Sequence, residues 1–497
     1  MIIVRCNVAL WNFSLREKAR FMAERYVKSV GGYLPLLRLR RRAALSALKW
    51  SGLSGPREGR RAVAGCDEDA LTIAVEAARV AVASGAPPTG VIFASTSAHF
   101  FERPQASLMA AALALPEEIR SNDCAGSRRC GVSALLQALE GRGDWLVAAG
   151  EKRPTKAGSA SQLSYGDGGA ACLVGDEGSA RLIAAKSSAH DFVDVYASRE
   201  HPTPYVAEER FVRDVAISSV VAPIVSKLLL DAGVEAASVR YVAFNEPALG
   251  VYKTLAAEVG LTAPNLGSEL ALSAGDLGAA HSLFAFAMAL ECAKVGEKIL
   301  LIGFGGGCDA ALFEKCTDAP GGASAGLSLR HGRELTDYVR FASLSSAIEL
   351  DWGVRSEFEQ KTAATVLGRY GADMMGFIAG RDSRGNVQFP KSPIPVSPAA
   401  NGPEPLDDVR LADCVARIVS ITADRLNYTP DPPFLFGLTQ FENGARVMME
   451  FTDADAGDLA VGDAVTMRFR IKSIDRRRGF RTYFWKAAPI ERAQLEV

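Results

Sequence analysis

The sequence predicts an α/β core followed by a small all-β barrel. Three observations carry that expectation. Strand-like and helix-like segments alternate from about residue 26, the alternation runs through twice before about residue 322, and after about residue 405 only short β-rich runs remain. Such alternation implies a mainly parallel sheet with helices on its faces, because parallel neighbours need a long crossover. Two rounds imply two sheets packed about a pseudo-dyad.

The first round spans about 26–178. YVKSVGGYLP reads as a strand ending in a Gly/Pro turn. DEDALTIAVEAARVAVASG has apolar residues at helical spacing, with Asp67 or Asp69 placed to cap it. GVIFAS is a buried strand, RPQASLMAAALAL a helix and EEIRSND a strand. RRCGVSALLQALEGRG is a helix stopped by glycine, and DWLVAAGE and GDGGAACLVGD are strands. The second round spans about 179–322, with helices in SSVVAPIVSKLLLDAG, ALGVYKTLAAEVG and DLGAAHSLFAFAMALECAKVG. Its strands are VRYVAFNE, KILLIGFGGG and CDAALFE.

A polar stretch over 323–378 reads as a helical linker, and 379–404 is rich in Pro, Ser and Gly. In 405–497, Asn443-Gly444 between two apolar runs signals a hairpin, and five or so short strands fit a small closed barrel. Residues 1–25 form an N-terminal extension, within which Met22 is an alternative start.

Composition sets outer limits. A length of 497 residues implies two or three domains. A net charge of −1 gives no reason to expect nucleic acid or an anionic membrane as partner. The basic run Arg38 to Arg42 is the local exception. It reads as a solvated loop or as a contact for the phosphates of a nucleotide-tailed substrate. Nine scattered cysteines without a CxxC pair argue against a disulfide scaffold and fit a reducing, cytoplasmic setting. No signal peptide is read at the N-terminus, and no run approaches the ~20 apolar residues of a membrane span.

The order of GGYLP, DEDALTIAVEAA, SALLQAL followed by VAAGEKR, YGDGGAACLVGD, GDLGAA and GFGGGCDAALFE resembles the thiolase superfamily. The branch it resembles contains HMG-CoA synthases and ketoacyl-ACP synthases III. The likeness covers roughly 26–322 and implies duplicated βαβαβαββ units in an α-β-α-β-α sandwich, usually dimeric. Through TQFENGARVMMEFTD and YFWKAAP, the tail resembles the OB-fold family found beside thiolase-like proteins.

In that superfamily a Cys at a helix N-terminus takes the acyl group, and a His with an Asn or second His polarises the thioester and manages protons. Read without gaps, the nucleophile position holds Arg128, with Cys130 two residues on and Cys124 on the preceding strand. Either cysteine is a candidate nucleophile or a small buried hydrophobe. The His position holds Asn245 and the Asn position Asp276, with His281 five residues on as a replacement base or a packed helix residue. The loop of Gly305, Gly306 and Gly307 matches the family's oxyanion loop, where glycine lets backbone N–H groups reach the thioester oxygen. It is not a dinucleotide fingerprint, because Cys308 stands where the last glycine belongs and a strand follows.

Acyl-pocket candidates are Thr96, where HMG-CoA synthases carry a catalytic Glu, with His99 and Glu102 nearby, and Tyr205 in a segment that also contains Asp194. The OB family usually begins with a zinc ribbon. Its four ligand positions here are Arg381, Arg384, Pro395 and Pro398, none able to bind zinc, so no metal is expected.

The resemblance therefore implies an enzyme of acyl-CoA C–C bond chemistry with non-standard residues. CoA or an acyl-CoA is its substrate and no cofactor is tightly bound. CoA-dependent retro-Claisen or retro-aldol cleavage of a β-keto or β-hydroxy acyl compound, aromatic ones included, is the leading reading. A non-catalytic acyl-CoA-binding or scaffold subunit working with an active partner is the alternative, and a condensing enzyme with a relocated Cys is the third.

Overall fold

A computed structural model of the chain describes residues 24–53, 55–83, 86–318, 324–351, 371–399, 402–427, 429–476 and 478–490. The alternative start at Met22 and the middle of the 323–378 linker lie outside these residues.

The first round builds a half-sheet in which strand Tyr26–Tyr33 pairs with Gly168–Gly175, then Trp145–Glu151, Gly90–Ala94 and, at the edge, Arg120–Cys124. The second builds Ala180–Ala189, Gly307–Lys315, Lys298–Phe304 and Val239–Phe244. The expected separate sheets are hydrogen-bonded into one nine-stranded run, because Tyr26 and Val27 pair with Arg181 and Ala180 at a single corner.

Layering follows from where apolar residues point. Helices Cys130–Glu140 and His281–Cys292 are apolar nearly all round, and they are sandwiched between the two half-sheets. The predicted long helix at DLGAAHS is broken by a short turn, Gly278–Ala280, before His281. Helices Ala70–Ala81 and Gln105–Ala112 cover the outside of the first half-sheet, and Ala222–Ala232 and Tyr252–Val259 the outside of the second. The helical run Arg210–Ala232 is long and apolar enough to cross a membrane by composition alone, contrary to the sequence expectation. Val212, Ile217, Val221, Val225 and Leu228 from this run pack against the second half-sheet, which accounts for its apolar character.

The 323–378 segment is not helical throughout. Between helices Ala325–Arg330 and Tyr338–Leu344, strand Arg333–Leu335 pairs in parallel with Leu37–Arg40, which in turn pairs with Arg60–Val63. The basic run is therefore a strand leading into a helix. Arg38 is buried, donating to the carbonyls of Ser328 and His331, and Arg41 donates to those of Leu163 and Ala271.

The tail is a six-stranded antiparallel sheet whose strands Ala464–Asp475 and Phe480–Pro489 are the longest pair. Asn443-Gly444 makes the predicted hairpin, with Gly444 at φ +88° and the Asn443 side chain accepting from Ala445 N–H. A three-stranded ribbon, Val387–Gln388, Ile378–Arg381 and Asp407–Arg410, precedes it. Where a zinc ribbon would use metal, hydrogen bonds close both turns. Asp382 accepts from the N–H groups of Arg384 and Asn386. The Gln388 amide accepts from Val396 N–H at 2.7 Å and donates to the Ile394 carbonyl at 3.0 Å.

The all-β domain is bound to the core by charge. The N-terminus of helix Ala70–Ala81 presents Asp67, Glu68 and Asp69, and Glu76 follows two turns on. Asp69 is the cap; one oxygen accepts from Thr72 N–H while the other receives Arg481 at 2.8 Å and the Tyr483 hydroxyl at 2.9 Å. Lys486 meets Asp67 at 3.0 Å, and Arg468 meets Glu76 at 3.0 Å. Arg470, fully buried, reaches Glu68, Asp453 and the Tyr33 hydroxyl at 3.2, 2.9 and 2.8 Å.

Two predictions follow from these contacts. Arg470→Ala strands the buried carboxylate of Glu68 and the partly buried one of Asp453 and should cost about 3–5 kcal/mol in denaturant melts, with loss of the coincidence between core and tail unfolding. Gln388→Ala should lower stability by about 1–3 kcal/mol, whereas prolonged chelation should leave the melting temperature of the native protein in place.

Candidate active site

The site is assembled at the C-terminal ends of core strands, where open α/β sheets place their ligands. The loop after strand Arg120–Cys124 brings Arg128 in front of helix Cys130–Glu140. Its guanidinium meets Asp194 at 2.5 Å and Asp276 at 3.4 Å, all but buried. Asp276 accepts from Asn245 Nδ2 at 2.8 Å and Gly278 N–H at 2.8 Å, and pairs with Arg153 at 3.2 Å. Arg153 in turn lies 3.6 Å over the Tyr165 ring. The three positions singled out from the sequence, Arg128, Asn245 and Asp276, thus form one network. Asp194 and Arg153 complete it.

The electrostatics favour the charged forms of Arg128, Arg153 and Asp276. Burial opposes the Arg128 charge, but Asp194 and Asp276 outweigh it and raise the pKa. Burial likewise pushes the Asp276 carboxyl up, and Arg153, Arg128 and then His281 bring it down well below the usual carboxylate range. Asp276 is therefore an anion that accepts hydrogen bonds, and a weak base.

His281 is fully buried. Its Nδ1 accepts from Leu277 N–H at 3.1 Å, so Nε2 carries the proton and donates to the Gly267 carbonyl at 2.9 Å. Both nitrogens are occupied by backbone, and desolvation lowers the pKa despite Asp276. The geometry gives it the packing role rather than that of a replacement base.

The two cysteines face each other. A hydrogen bond from the Cys130 thiol lowers the Cys124 pKa against the effect of burial. The same bond, then burial, pushes Cys130 well up. Cys124 is half-buried and Cys130 almost fully buried, and the latter packs in the core between the half-sheets.

The glycine loop lies against the Arg128 loop. Gly305, Gly306 and Gly307 all have positive φ. A Cβ on Gly305 would lie 3.1 Å from Ser127 Cβ and 3.3 Å from Arg128 N; on Gly307 it would lie 2.1 Å from the Ser188 carbonyl oxygen. Only glycine brings this backbone against the Arg128 loop.

The acyl-pocket candidates divide. Thr96 donates through N–H and hydroxyl to Glu151 at 2.8 and 2.9 Å. Glu151 also accepts from Ser97 and Ala279 and is fully buried, so a carboxylate absent at position 96 is present on the next strand. His99 instead contacts the Gly479 carbonyl at 3.0 Å, and its neighbour Phe100 packs on Phe480, so this stretch belongs to the domain interface. Glu102 is exposed. Tyr205 is 61% exposed and pairs with Tyr196 on the outer surface of a hairpin. These three do not line the network. Arg153 and Glu151 were missed by sequence reasoning, although their position at the end of a buried strand was a usable signal.

The outward half of the basic run, Arg40 and Arg42, lines a cleft of about 340 Å³ with Arg57 and Arg60. Glu58 lines it too, pairing with Arg42 at 3.3 Å, and Arg40 pairs with Glu334 at 2.6 Å. The cleft adjoins the segment leading to Asp276, since Arg41 N–H bonds Gly59 on one side and Ala62 N–H bonds Ala274 on the other. Among the described residues, no three His, Cys, Asp or Glu side chains converge to hold a metal.

No protein-family model matches the chain. It is 25% identical over 313 residues to the hydroxymethylglutaryl-CoA synthase of Pyrococcus furiosus, covering 60% of this chain and 88% of that protein. The synthase of Pyrobaculum arsenaticum is 29% identical over 273 residues, 51% of this chain and 75% of that one. Among solved structures, an HMG-CoA synthase complexed with CoA superposes at TM-score 0.57 with 15% identity, over 68% of this chain and 95% of that one. The 3-oxoacyl-(acyl carrier protein) synthase III of Pseudomonas aeruginosa gives 0.52 at 20% identity, over 59% and 98%. The core has the thiolase-like fold of HMG-CoA synthases and ketoacyl synthases III. In sequence it is similar to hydroxymethylglutaryl-CoA synthases.

The buried neutral histidine predicts a pH effect. Its folded pKa lies below the ordinary 6.5. The unfolded chain therefore takes up the proton first, and stability is full above that value and falls as pH drops through it. His281→Gln should flatten the decline, which otherwise approaches about 1.4 kcal/mol per pH unit inside the window, as read from urea melts between pH 7.5 and 5.

Proposed function

We propose that the chain acts on acyl-CoA thioesters, making or breaking a C–C bond without an acyl-enzyme. One observation carries this reading: a buried, permanently charged Arg128 occupies the position that the resemblance gives to the nucleophile, against the glycine loop. A guanidinium cannot accept an acyl group, but it can stabilise an oxyanion.

Cleavage of a β-hydroxyacyl or β-ketoacyl thioester fits this arrangement. In the β-hydroxy case the hydroxyl proton leaves to a base, and the Cα–Cβ bond breaks. Its electron pair passes into the thioester carbonyl as an enolate, and the β-carbon departs as an aldehyde or ketone. Protonation of the enolate completes the balance. Arg128 and backbone N–H groups of the glycine loop supply the charge stabilisation. Asp276 is too acidic to contribute much as the base, so the reading rests on the oxyanion side. The cleft of Arg40, Arg42, Arg57 and Arg60 supports a phosphate-rich tail such as that of CoA. The Arg120–Cys124 strand, paired on one edge only, supports a homodimer.

A second reading, a non-catalytic acyl-CoA-binding subunit, is favoured by the saturated hydrogen bonding of His281 and Asp276.

Intact-mass measurement with acyl-CoA, alongside turnover of a β-hydroxyacyl- and β-ketoacyl-CoA panel, separates these. The expected outcome is no covalent adduct, turnover within a few-fold of wild type in Cys124→Ala and Cys130→Ala, and a loss on the order of 100-fold in Arg128→Ala. An adduct abolished by either cysteine variant would restore a covalent route. Thioester binding without turnover by any panel member would support the subunit.

A further inference from the structure

The network around Arg128 offers charge stabilisation but no ready proton. Asp276 is a weak base, His281 has both ring nitrogens on backbone groups, and Cys130 is sealed in the core. One further group with a movable proton stands in the same shell. Tyr165 is buried, and its hydroxyl has no hydrogen-bond partner among the described residues. A buried phenol ordinarily finds a partner, so an idle one beside a site is open to a ligand.

A close backbone contact places it there. Gly166 N–H donates to the Asp276 carbonyl at 2.9 Å, Asp276 N–H donates to the Ser164 carbonyl at 2.8 Å, and Tyr165 and Asp276 are bridge partners. The approach needs glycine on both sides. A Cβ on Gly166 would lie 1.9 Å from the Ala274 carbonyl oxygen, and one on Gly275, at φ +90°, would lie 2.8 Å from Gly166 N. Two glycines thus press Tyr165 against the carboxylate that pairs with both Arg128 and Arg153. Arg153 lies over the Tyr165 ring, and the phenol is within electrostatic reach of Arg128 as well. Arg128 Nε and Arg153 Nε and Nη1 are likewise buried without partners.

We propose that Tyr165 is the general acid of the site, delivering its hydroxyl proton to the α-carbon of the thioester enolate. This rests on the C–C cleavage reading above and supplies the proton donor which that reading leaves open. Once the Cα–Cβ bond has broken, its electron pair lies in the enolate, with the enolate oxygen on Arg128. The Tyr165 O–H bond then breaks, its proton and the enolate pair form the new Cα–H bond, and the phenol oxygen keeps the O–H pair. The phenolate recovers a proton from solvent, replacing the one lost earlier from the β-hydroxyl or from the thiol of an attacking CoA. Arg153 over the ring and Arg128 nearby offset the negative charge in the interval.

Tyr165→Phe tests it, because the variant keeps the ring and loses one oxygen that bonds nothing. Its melting temperature and its affinity for acyl-CoA should stay in place. Both proteins are given β-hydroxyacyl- and β-ketoacyl-CoA substrates, with and without an α-methyl group, in single-turnover mixtures made in deuterium oxide. The variant should lose about 100-fold or more in kcat at unchanged KM. From α-methyl substrates the unmodified protein should set deuterium on one face of Cα. The variant should label both faces, because solvent then protonates the enolate. Scrambled labelling by the variant supports the inference at any rate, since protonation need not limit turnover. Single-face labelling by the variant, or scrambled labelling by the unmodified protein, would overturn it. Where only unbranched substrates turn over, the rate alone decides, and undiminished kcat in Tyr165→Phe would overturn it. Failure of the unmodified protein to cleave any of these thioesters would overturn the C–C reading itself, and this inference with it.

Discussion

The structure depends on how the all-β domain is docked. Helix Ala70–Ala81 is preceded by three consecutive acids, the last of them its cap, a composition that suits a helix N-terminus through the macrodipole. Those acids also receive Arg470, Arg481 and Lys486 from the tail. Burying so many charges is unfavourable unless each finds its counterpart, and here cations and carboxylates interleave, with Tyr33 and Tyr483 adding hydroxyls. The arrangement fixes one docking geometry, because a slip of one residue along strand Ala464–Asp475 would turn Arg468 and Arg470 away from the helix. Apolar packing alone would be more permissive.

At the Arg128 network the same principle has the opposite consequence. A cysteine nucleophile needs a helix N-terminus, an open approach and a nearby proton acceptor. The loop here offers Arg128 instead, and burial makes its charge costly without Asp194 and Asp276. Once these are present, Asn245 and Gly278 N–H orient Asp276, and Arg153 supplies the second cation. Arg128 and Asp276 therefore depend on each other: either alone would leave a buried charge short of a partner.

What the sequence revealed divides along physical lines. Periodicity and turn chemistry are local, so the strands, the Asn443-Gly444 hairpin and the glycine loop were all legible. Arg128, Asn245 and Asp276 were reached through family position, and they converge in space. Charge pairing across long separations was not legible. Nothing local in DED says that one oxygen of Asp69 caps its helix while the other holds Arg481. Arg153 and Glu151 lie beside the conspicuous VAAGEKR motif, but their roles depend on Tyr165, Asp276 and Ala279, far along the chain. The basic run misled for the same reason. Arg38 and Arg40 stand two apart on one strand, and only distant partners separate them: Arg38 folds onto the carbonyls of Ser328 and His331, while Arg40, at the strand's end, pairs with Glu334 and lines the cleft.

The docking interface and the site are physically contiguous. Lys152 donates to the carbonyls of Gly65 and Glu68, at the foot of the acidic cluster that holds Arg470. Its neighbours in sequence, Glu151 and Arg153, are members of the acyl-site shell. The loop containing Thr96 and Ser97 is held by Glu151 at one end, while His99 touches Gly479 of the all-β domain at the other. Two packed routes therefore lead from the tail to the residues around Asp276. A domain fastened this way fixes the floor beneath Glu151 and Arg153, and so limits how far the charged network can relax.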